Sequence, residues 1–407
     1  MPVTAPAKPW LSIVGIGEDG VAGLGETARN IIAGAQTVFG GKRHLDLAAF
    51  LIAGEARAWP SPFDQAIAAV LGLRGGSVCV LASGDPMFYG VGATLARHVP
   101  AAEMHVVPAP SAFSLAAARL GWPQQSTACV SLHGRPLALL RPHLQPSRRL
   151  LVLTSDADGP AAIADMMTRL GFGSSRLAVL EALGGPRERI AETTAAAFQP
   201  RDIDPLNLVA IEVAASPDAR TLPLAHGLPD DWFEHDGQIT KRIVRAATIS
   251  ALAPHHDELL WDIGAGSGSI STEWMLRDPS LRAIAVERDA DRAARIGRNA
   301  EALGVPGLEI VTGEAPAALT ALPEPDAIFI GGGCGAAVLD IALDRLKPGG
   351  RLVVNAVTLE TEALLIAAHQ DHGGELVRLA VAHASPVGSL TGWRPAMPVT
   401  QWSWRKP

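Results

Sequence analysis

Asp262, Gly264, Gly266, Gly268 and Glu287 are spaced to hold a nucleoside-like ligand. The first four lie in LLWDIGAGSGSISTE, residues 259–273. There an apolar run ends in an acid and breaks into glycines at alternate positions. A buried strand that turns on glycines and opens a helix is the first unit of a nucleotide-binding α/β sheet. The glycines let the chain turn tightly and let a ligand approach the backbone. The helix start offers unpaired N–H groups. The next apolar stretch, RAIAVERD, ends in Glu287, at about the ~20-residue offset where an acidic side chain binds ribose hydroxyls. The glycines run G-x-G-x-G, and Ser269 stands where the last glycine of a dinucleotide fingerprint would be.

A second set of polar strand tips lies in the first half. WLSIVGIG brings Gly15 and Gly17 to a strand end, SVCVLAS runs into Gly84-Asp85-Pro86, and a strand near 104–108 runs into Ser111 and Ala112. Gly84 permits a turn there, Pro86 fixes it, and Asp85 can accept hydrogen bonds within it. Small polar groups at the carboxyl edge of a parallel sheet are where such sheets bind ligands. Arg43, His44, His133 and Arg135 lie in stretches of this half that follow apolar runs, and an arginine fork can pair with a carboxylate bidentately.

These residues need an α/β framework. Apolar strands are expected over 10–17, TVFG, 77–83, 104–108, 148–154, 176–183 and 206–213, with helices over 26–37 and 62–73 among those between them. The alternation predicts a parallel sheet in the first half. Residues 214–231, rich in Pro, Asp and small residues, carry no period and read as the domain boundary. A helix is expected from Thr240, capped by that residue, with Ile243, Val244, Ala247 and Leu252 inward. A charged helix over 289–303, strands over 308–313 and 326–333, a helix end, turn and strand over 346–357, and strands near 375–384 and 398–404 complete the second half.

The chain has 407 residues, enough for two or three domains. Hydrophobic residues make up 48% and charged residues 18%, so packed cores can form. A net charge of −7 with no basic run disfavours a nucleic-acid partner, which needs phosphate neutralisation. Cys79, Cys129 and Cys334 lie far apart and form no metal or redox spacing, so each reads as a small core residue in a reducing compartment. Cys334 follows a glycine run near the proposed ligand. No apolar stretch is long enough to span a membrane, and MPVTAPAKPW lacks the charged and apolar regions of a signal peptide. The cytoplasm is the expected compartment.

VGIGEDGVAGL, LASGDPMFYGVG and PAPSAFSLAAARLG, in this order, resemble the three signatures of the tetrapyrrole (corrin/porphyrin) methyltransferase family. FGGKRHL and SLHGRP resemble the subgroup that methylates carbon 5 of precorrins. The resemblance covers 8–215 and implies two α/β subdomains with S-adenosylmethionine in their cleft. Gly84, Asp85, Pro86, Ser111 and Ala112 would border that donor. Gly15 and Gly17 would line the substrate cavity, and Arg43, His44, His133 and Arg135 would face precorrin carboxylates.

Residues 222–407 resemble Rossmann-like S-adenosylmethionine-dependent methyltransferases through the Asp262–Gly268 loop. Through GQITKRIVRA and the Ile-Gly-Gly at 330–332 they resemble the precorrin carbon-15 methyltransferase and decarboxylase domain. Thr240, Asp262, Gly264, Gly266, Gly268, Glu287, Ala315 and Gly331 would then contact the donor. Asn355 would face the substrate, with Lys241, Arg242, His383 and Arg394 as candidates for its carboxylates. The strand at 326–333 ends in three glycines, not in the Asn/Asp-Pro-Pro-aromatic loop of enzymes that methylate nitrogen.

Together the two resemblances imply methylation of precorrin-6B, derived from precorrin-6Y, at carbons 5 and 15. Loss of the ring C acetate carboxyl would accompany it, giving precorrin-8 in cobalamin biosynthesis. They imply one donor per domain, no metal, no membrane partner and a homo-oligomer. The sulfonium methyl is already activated, so no particular catalytic side chain is called for. The competing readings are a cobalt-containing substrate, an RNA or protein methyltransferase, and a non-catalytic sensor.

Overall fold

A computed structural model describes residues 9–60, 63–199 and 201–407. Most of the N-terminal segment weighed as a leader, the first residue of the 8–215 span and the start of the helix expected at 62 lie outside the described residues. The chain divides into two compact units, residues 1–135 with 145–220, and 136–144 with 221–407.

The first unit holds two sheets. Strands β1 (Leu11–Ile16), β2 (Thr37–Gly40), β3 (Glu55–Ala58), β4 (Val78–Ser83) and β5 (Met104–Val107) form one, in the order β3-β2-β4-β1-β5. Its pairings are all parallel, as expected. Alternate side chains of its central strands enter opposite cores. Leu11, Ile13, Val78 and Val80 go to one face, and Val14, Ile16, Cys79 and Leu81 go to the other. Burial on both faces is what turns these strands into continuous apolar runs.

The second sheet is β6 (Thr127–Ser131), β7 (Arg149–Leu153), β8 (Arg176–Glu181), β9 (Arg189–Thr194) and β10 (Asn207–Glu212), in the order β6-β7-β10-β8-β9. Only β6 and β7 pair in parallel; the other three pairings are antiparallel. β9 was not expected. It is an edge strand with largely exposed residues, RIAETT, so it lacks an apolar run.

The second unit is built on a seven-stranded sheet in the order β13-β12-β11-β14-β15-β19-β16. Its strands are β11 (Leu259–Ile263), β12 (Arg282–Glu287), β13 (Glu309–Thr312), β14 (Ala327–Ile330), β15 (Arg351–Ala356), β16 (Glu375–Leu379) and β19 (Val399–Arg405). Strands β17 (Ala382–Val387) and β18 (Leu390–Pro395) form a separate hairpin. The single strand expected over 375–384 is divided between β16 and β17, and the hairpin's residues are mostly exposed.

Leu259, Trp261 and Ile263 of β11 enter one core with Ile284, Val286, Ile328 and Ile330. The opposite face carries Leu260, Ala283, Ala285 and Phe329, and its small residues make room for Trp274 of the helix Ser269–Met275. The chain crosses from β11 outward to β13 and returns to β14 beside β11. The loops after β11 and β14 therefore diverge at a switch point, where sheets of this kind bind ligands.

Two helix readings need correction. The helix expected over 26–37 is Glu26–Gly34, because the chain must extend again to enter β2. The helix expected from Thr240 is Arg242–Leu252; Lys241 occupies the cap position and Thr240 caps nothing. Its buried residues are Arg245, Thr248, Ile249 and Leu252, while Ile243 is 53% exposed. An arginine and a threonine on the inner face rotated the apparent apolar stripe.

Candidate active sites

In the second unit Gly264, Gly266 and Gly268 all have left-handed φ angles, +69°, +60° and +70°. A Cβ at Gly264 or Gly268 has no room, and one at Gly266 would be tight. At Gly264 a Cβ would lie 2.5 Å from the Gly332 carbonyl oxygen, at Gly266 3.1 Å from that of Gln238, and at Gly268 2.6 Å from the Ile296 side chain. The loop is thus pressed between the β14 tip, the segment before the helix Arg242–Leu252, and the helix Ala290–Leu303. Glu287, at the tip of β12, accepts from the Gly266 N–H at 2.8 Å and the Asp289 N–H at 3.1 Å. Its carboxylate stays on the wall of the adjoining cavity.

That cavity measures about 1100 Å³. Thr240, Gly264, Gly266, Glu287, Ala315, Gly331 and Asn355 line it, with Lys241, Arg242 and His383. Arg242 Nε donates to the Gly227 carbonyl at 2.8 Å, so that cation is partly committed. Arg394 pairs opposite His383 in the hairpin and is not on the wall. Cys334 packs against the sheet's core, where burial pushes its thiol up to about 11.

Asp262 and Gly268 lie behind the loop, off the wall. Asp262 is fully buried, its Oδ2 accepting from Ser271 N–H at 3.1 Å and from Ser271 Oγ, and its Oδ1 has no partner among the described residues. Burial pushes its carboxyl up to about 6, against the hydrogen bonds from Ser271, and Glu287 adds to the rise. It fastens the helix start to the strand, so the glycine turn is held from below.

Two features of this unit were not read from the sequence. Arg245 is wholly buried and donates to Glu273 Oε1 at 2.6 Å, to Asp230 Oδ1 at 3.0 Å, and to the carbonyls of Thr240 and Leu228. It clamps the segment carrying Thr240 to the cavity. The second is a buried amide network: Asn355 Nδ2 donates to Thr248 Oγ1 at 3.0 Å, and Gln401 Nε2 donates to Asn355 Oδ1 at 2.9 Å. It fixes which face of Asn355 meets the cavity.

In the first unit the tips of β1, β4 and β5 meet. A Cβ at Gly15 would lie 1.9 Å from the Gly84 carbonyl oxygen, and one at Gly84 would lie 2.9 Å from the Pro110 carbonyl oxygen. Gly15 therefore serves close packing and is not on the wall of the cavity of about 350 Å³ that opens beside these tips. Gly17, Arg43, His44, Gly84, Ser111, Ala112 and His133 line that cavity. Asp85 and Pro86 do not. Asp85 Oδ1 accepts from the Met87 N–H at 2.9 Å, and Pro86 packs under Gly90 and Gly92, so both shape the turn. Arg135 lies over the Tyr89 ring, 5.7 Å from its centroid, and is absent from the wall. Ser111 caps the helix Ala112–Leu120, accepting from the Ser114 N–H at 3.1 Å.

Arg43 is an ion-pair partner of Glu18, and it also donates to Ser83 Oγ at 2.8 Å and approaches His44 Nε2 at 2.9 Å. Burial, helped by Arg43, lowers His44 to about 4.

Both cavities suit a compact nucleoside donor. The second has a glycine cradle that a Cβ would fill and an acid at the next strand tip; the first has three glycine-packed strand tips and a capped helix start. Among the described residues no group of three or more His, Cys, Asp or Glu could hold a metal ion, and no helix is long and apolar enough to cross a membrane.

Residues 11–199 match the family of tetrapyrrole (corrin/porphyrin) methylases, and residues 231–406 match the precorrin methyltransferase domain. Fold and site thus define a methyltransferase with two α/β units. The chain is 59% identical over 403 residues to a precorrin-6Y C(5,15)-methyltransferase [decarboxylating] of Sinorhizobium, covering 99% of this chain and 98% of the relative. It is 43% identical to the protein of that name from Mycobacterium tuberculosis, over 96% and 98% of the two chains. A cobalt-precorrin-6B C(15)-methyltransferase (decarboxylating) of Salmonella typhimurium is 35% identical over 40% of this chain and 85% of its own. The chain belongs to the family of precorrin-6Y C(5,15)-methyltransferases (decarboxylating), enzymes whose methyl donor is S-adenosylmethionine.

Proposed function

We propose that the domain over 8–215 methylates carbon 5 of a precorrin and that the domain over 222–407 methylates carbon 15 and removes the ring C acetate carboxyl, each with its own donor. The product is then precorrin-8, on the route to cobalamin. The observation that carries this reading is the presence of two separate glycine-built cavities, one in each unit, in a chain similar over its whole length to enzymes named for both carbons.

When bound, S-adenosylmethionine supplies a methyl group already activated on a positive sulfonium. The chain's own residues then have three tasks. In the second unit the backbone at Gly264 and Gly266 and the carboxylate of Glu287 hold the nucleoside, while Thr240, Ala315 and Gly331 close its other sides. Lys241, Arg242 and His383 receive substrate carboxylates. Ile243, Val357, Leu379 and Met397 give the same cavity an apolar wall. A carboxylate held against such a wall loses solvation that its neutral product does not need, which favours loss of carbon dioxide. In the first unit Gly84, Ser111 and Ala112 border the donor, and Gly17, His44 and His133 border the substrate. Both sites act chiefly by holding the two reacting carbons in line and excluding water.

Mass spectrometry of the product from a purified, metal-free precorrin-6 substrate tests this. Two added methyls and one lost carboxyl are expected. One methyl only, or turnover of the cobalt-containing substrate alone, overturns the reading. Calorimetry should count two donor equivalents per chain. We further propose a homo-oligomer in the cytoplasm, with no nucleic-acid or membrane partner; sedimentation and cell fractionation check these points.

A further inference from the structure

Methylating a meso carbon replaces its hydrogen, so a proton must leave the ring. We propose that His44 accepts this proton at Nε2 in the carbon-5 reaction, with the Ser83 hydroxyl bridging the imidazole to the cavity. This rests on reading the first-unit cavity as the carbon-5 site.

His44 sits in the first turn of the helix Lys42–Ala48, directly after the β2 tip. A Cβ at Gly40 would lie 3.4 Å from His44 Cβ and 3.3 Å from Leu81 Cβ, so the β2 tip packs closely on both residues. Nε2 lies 2.8 Å from Ser83 Oγ, at the end of β4, and 2.9 Å from an Arg43 nitrogen. His44 and Ser83 both line the cavity.

The tautomer follows from the neighbours. A guanidinium only donates, so Nε2 must present its lone pair and Nδ1 must carry the proton. Nδ1 is buried with no partner among the described residues. The Arg43 charge is balanced by Glu18, which Arg187 also approaches at 3.4 Å, and Arg187 pairs in turn with Asp204. These ion pairs leave Arg43 occupied and keep the Nε2 lone pair turned toward the Arg43 N–H and the Ser83 hydroxyl, which lines the cavity.

The step balances as follows. An electron pair of the ring forms the carbon–carbon bond to the methyl group as the methyl–sulfur bond breaks and its pair stays on sulfur. The ring then carries a positive charge. Breaking the bond between carbon 5 and its hydrogen returns a pair to the ring, and the proton passes to Ser83 Oγ as the hydroxyl proton moves to Nε2. A carbon–hydrogen bond next to a cationic conjugated system is acidic, so a weak base suffices. His44, lowered to about 4 by burial and by Arg43, is neutral and ready at neutral pH, and it gives the proton up readily to water.

The test uses the full-length protein and precorrin substrate with hydrogen or deuterium at carbon 5. In the wild type, methyl transfer should limit the rate and the isotope effect should be near one. In His44→Ala, carbon-5 methylation should slow by roughly 10²–10⁴-fold, the span of general acid–base catalysis. A primary isotope effect should appear, with KM and donor affinity little changed and partial rescue by added imidazole. His44→Asn, which can still accept from Arg43, should be equally slow. Carbon-15 methylation by the same samples reports intact folding. A raised KM with unchanged kcat, or full rate in both variants, overturns the proposal. Ala112→Trp tests the underlying reading separately: it should fill the cavity and abolish carbon-5 methylation. If that reaction survives in Ala112→Trp, the cavity has been misassigned whatever His44 does.

Discussion

Arg245 and Glu273 lie against each other with no exposed side-chain surface, Nε donating to Oε1 across 2.6 Å. Glu273 also accepts the N–H groups of Gly227 at 2.7 Å and Leu228 at 2.8 Å, and Arg245 reaches the carbonyls of Leu228 and Thr240. The pair therefore sews the segment after the domain boundary onto the helices Arg242–Leu252 and Ser269–Met275. Removing one member of such a pair strands a buried charge, at a cost of roughly 3–5 kcal/mol. Arg245→Met should lower the stability of the second unit by about that much in denaturant unfolding. Combining it with Glu273→Met should recover only part, because the Gly227 and Leu228 N–H groups stay unpaired. Donor affinity of the second unit should fall as well, since Thr240 loses its anchor.

Gly266→Arg should abolish carbon-15 methylation and leave carbon-5 methylation at its wild-type rate. The residue has φ +60° and its Cβ would press toward the Gln238 carbonyl, so an arginine both strains the loop and fills the cradle. Counting methyl groups on the product by mass spectrometry reads both reactions in one sample. Survival of both at wild-type rate would show that the second donor lies elsewhere.

Asp262 and His44 should give stability opposite dependences on pH. Burial pushes the Asp262 carboxyl from its ordinary value near 3.8 up to about 6, so the folded state holds the proton longer. Its contribution to stability falls as pH rises from about 4 to about 6 and is flat above, a loss on the order of 3 kcal/mol. Asp262→Asn keeps an acceptor for Ser271 and should remove this fall. His44, lowered from 6.5 to about 4, contributes stability that is present above pH 6.5 and lost as pH falls toward 4. His44→Asn should remove that rise. Wild-type minus variant unfolding free energies at pH 4, 5, 6 and 7 separate the two; a flat difference for either residue contradicts its assignment.

The glycine loop was legible because geometry leaves so few residues for it. Three left-handed φ angles at alternate positions beside a strand end allow little but glycine, and Glu287 at the next strand tip is fixed by the sheet register. The parallel sheet of the first unit was legible for a similar reason, since burial on both faces demands unbroken apolar strands. Arg245 was not, because a buried arginine is written like a surface one; Glu273, Asp230, the carbonyls of Thr240 and Leu228 and the Phe233 ring, 4.8 Å from its guanidinium, make the site habitable. The hairpin of β17 and β18 was missed because neither face is buried, so no alternation marks it. Asp85 and Arg135 look like ligand groups in the sequence, yet one caps its own turn and the other covers Tyr89. A short polar motif does not say which of its atoms face the cavity.

Gln401 should matter to the second site without touching a ligand. It is 6% exposed on β19 and donates from one nitrogen to Asn355 Oδ1 at 2.9 Å and Thr248 Oγ1 at 3.1 Å. With Oδ1 accepting from Gln401 and Nδ2 donating to Thr248, the Asn355 amide is held in one orientation at the cavity wall. Gln401→Leu is close in volume but removes both donors, so Asn355 Oδ1 is left without that partner beside the core. The expected cost is about 1–3 kcal/mol of unfolding free energy. If Asn355, near the tip of β15, faces the substrate as proposed, carbon-15 methylation and decarboxylation should lose kcat while donor affinity holds. Carbon-5 methylation serves as the internal control. A loss of donor affinity as large as the loss of kcat would place Asn355 against the donor instead, and reassign that end of the cavity.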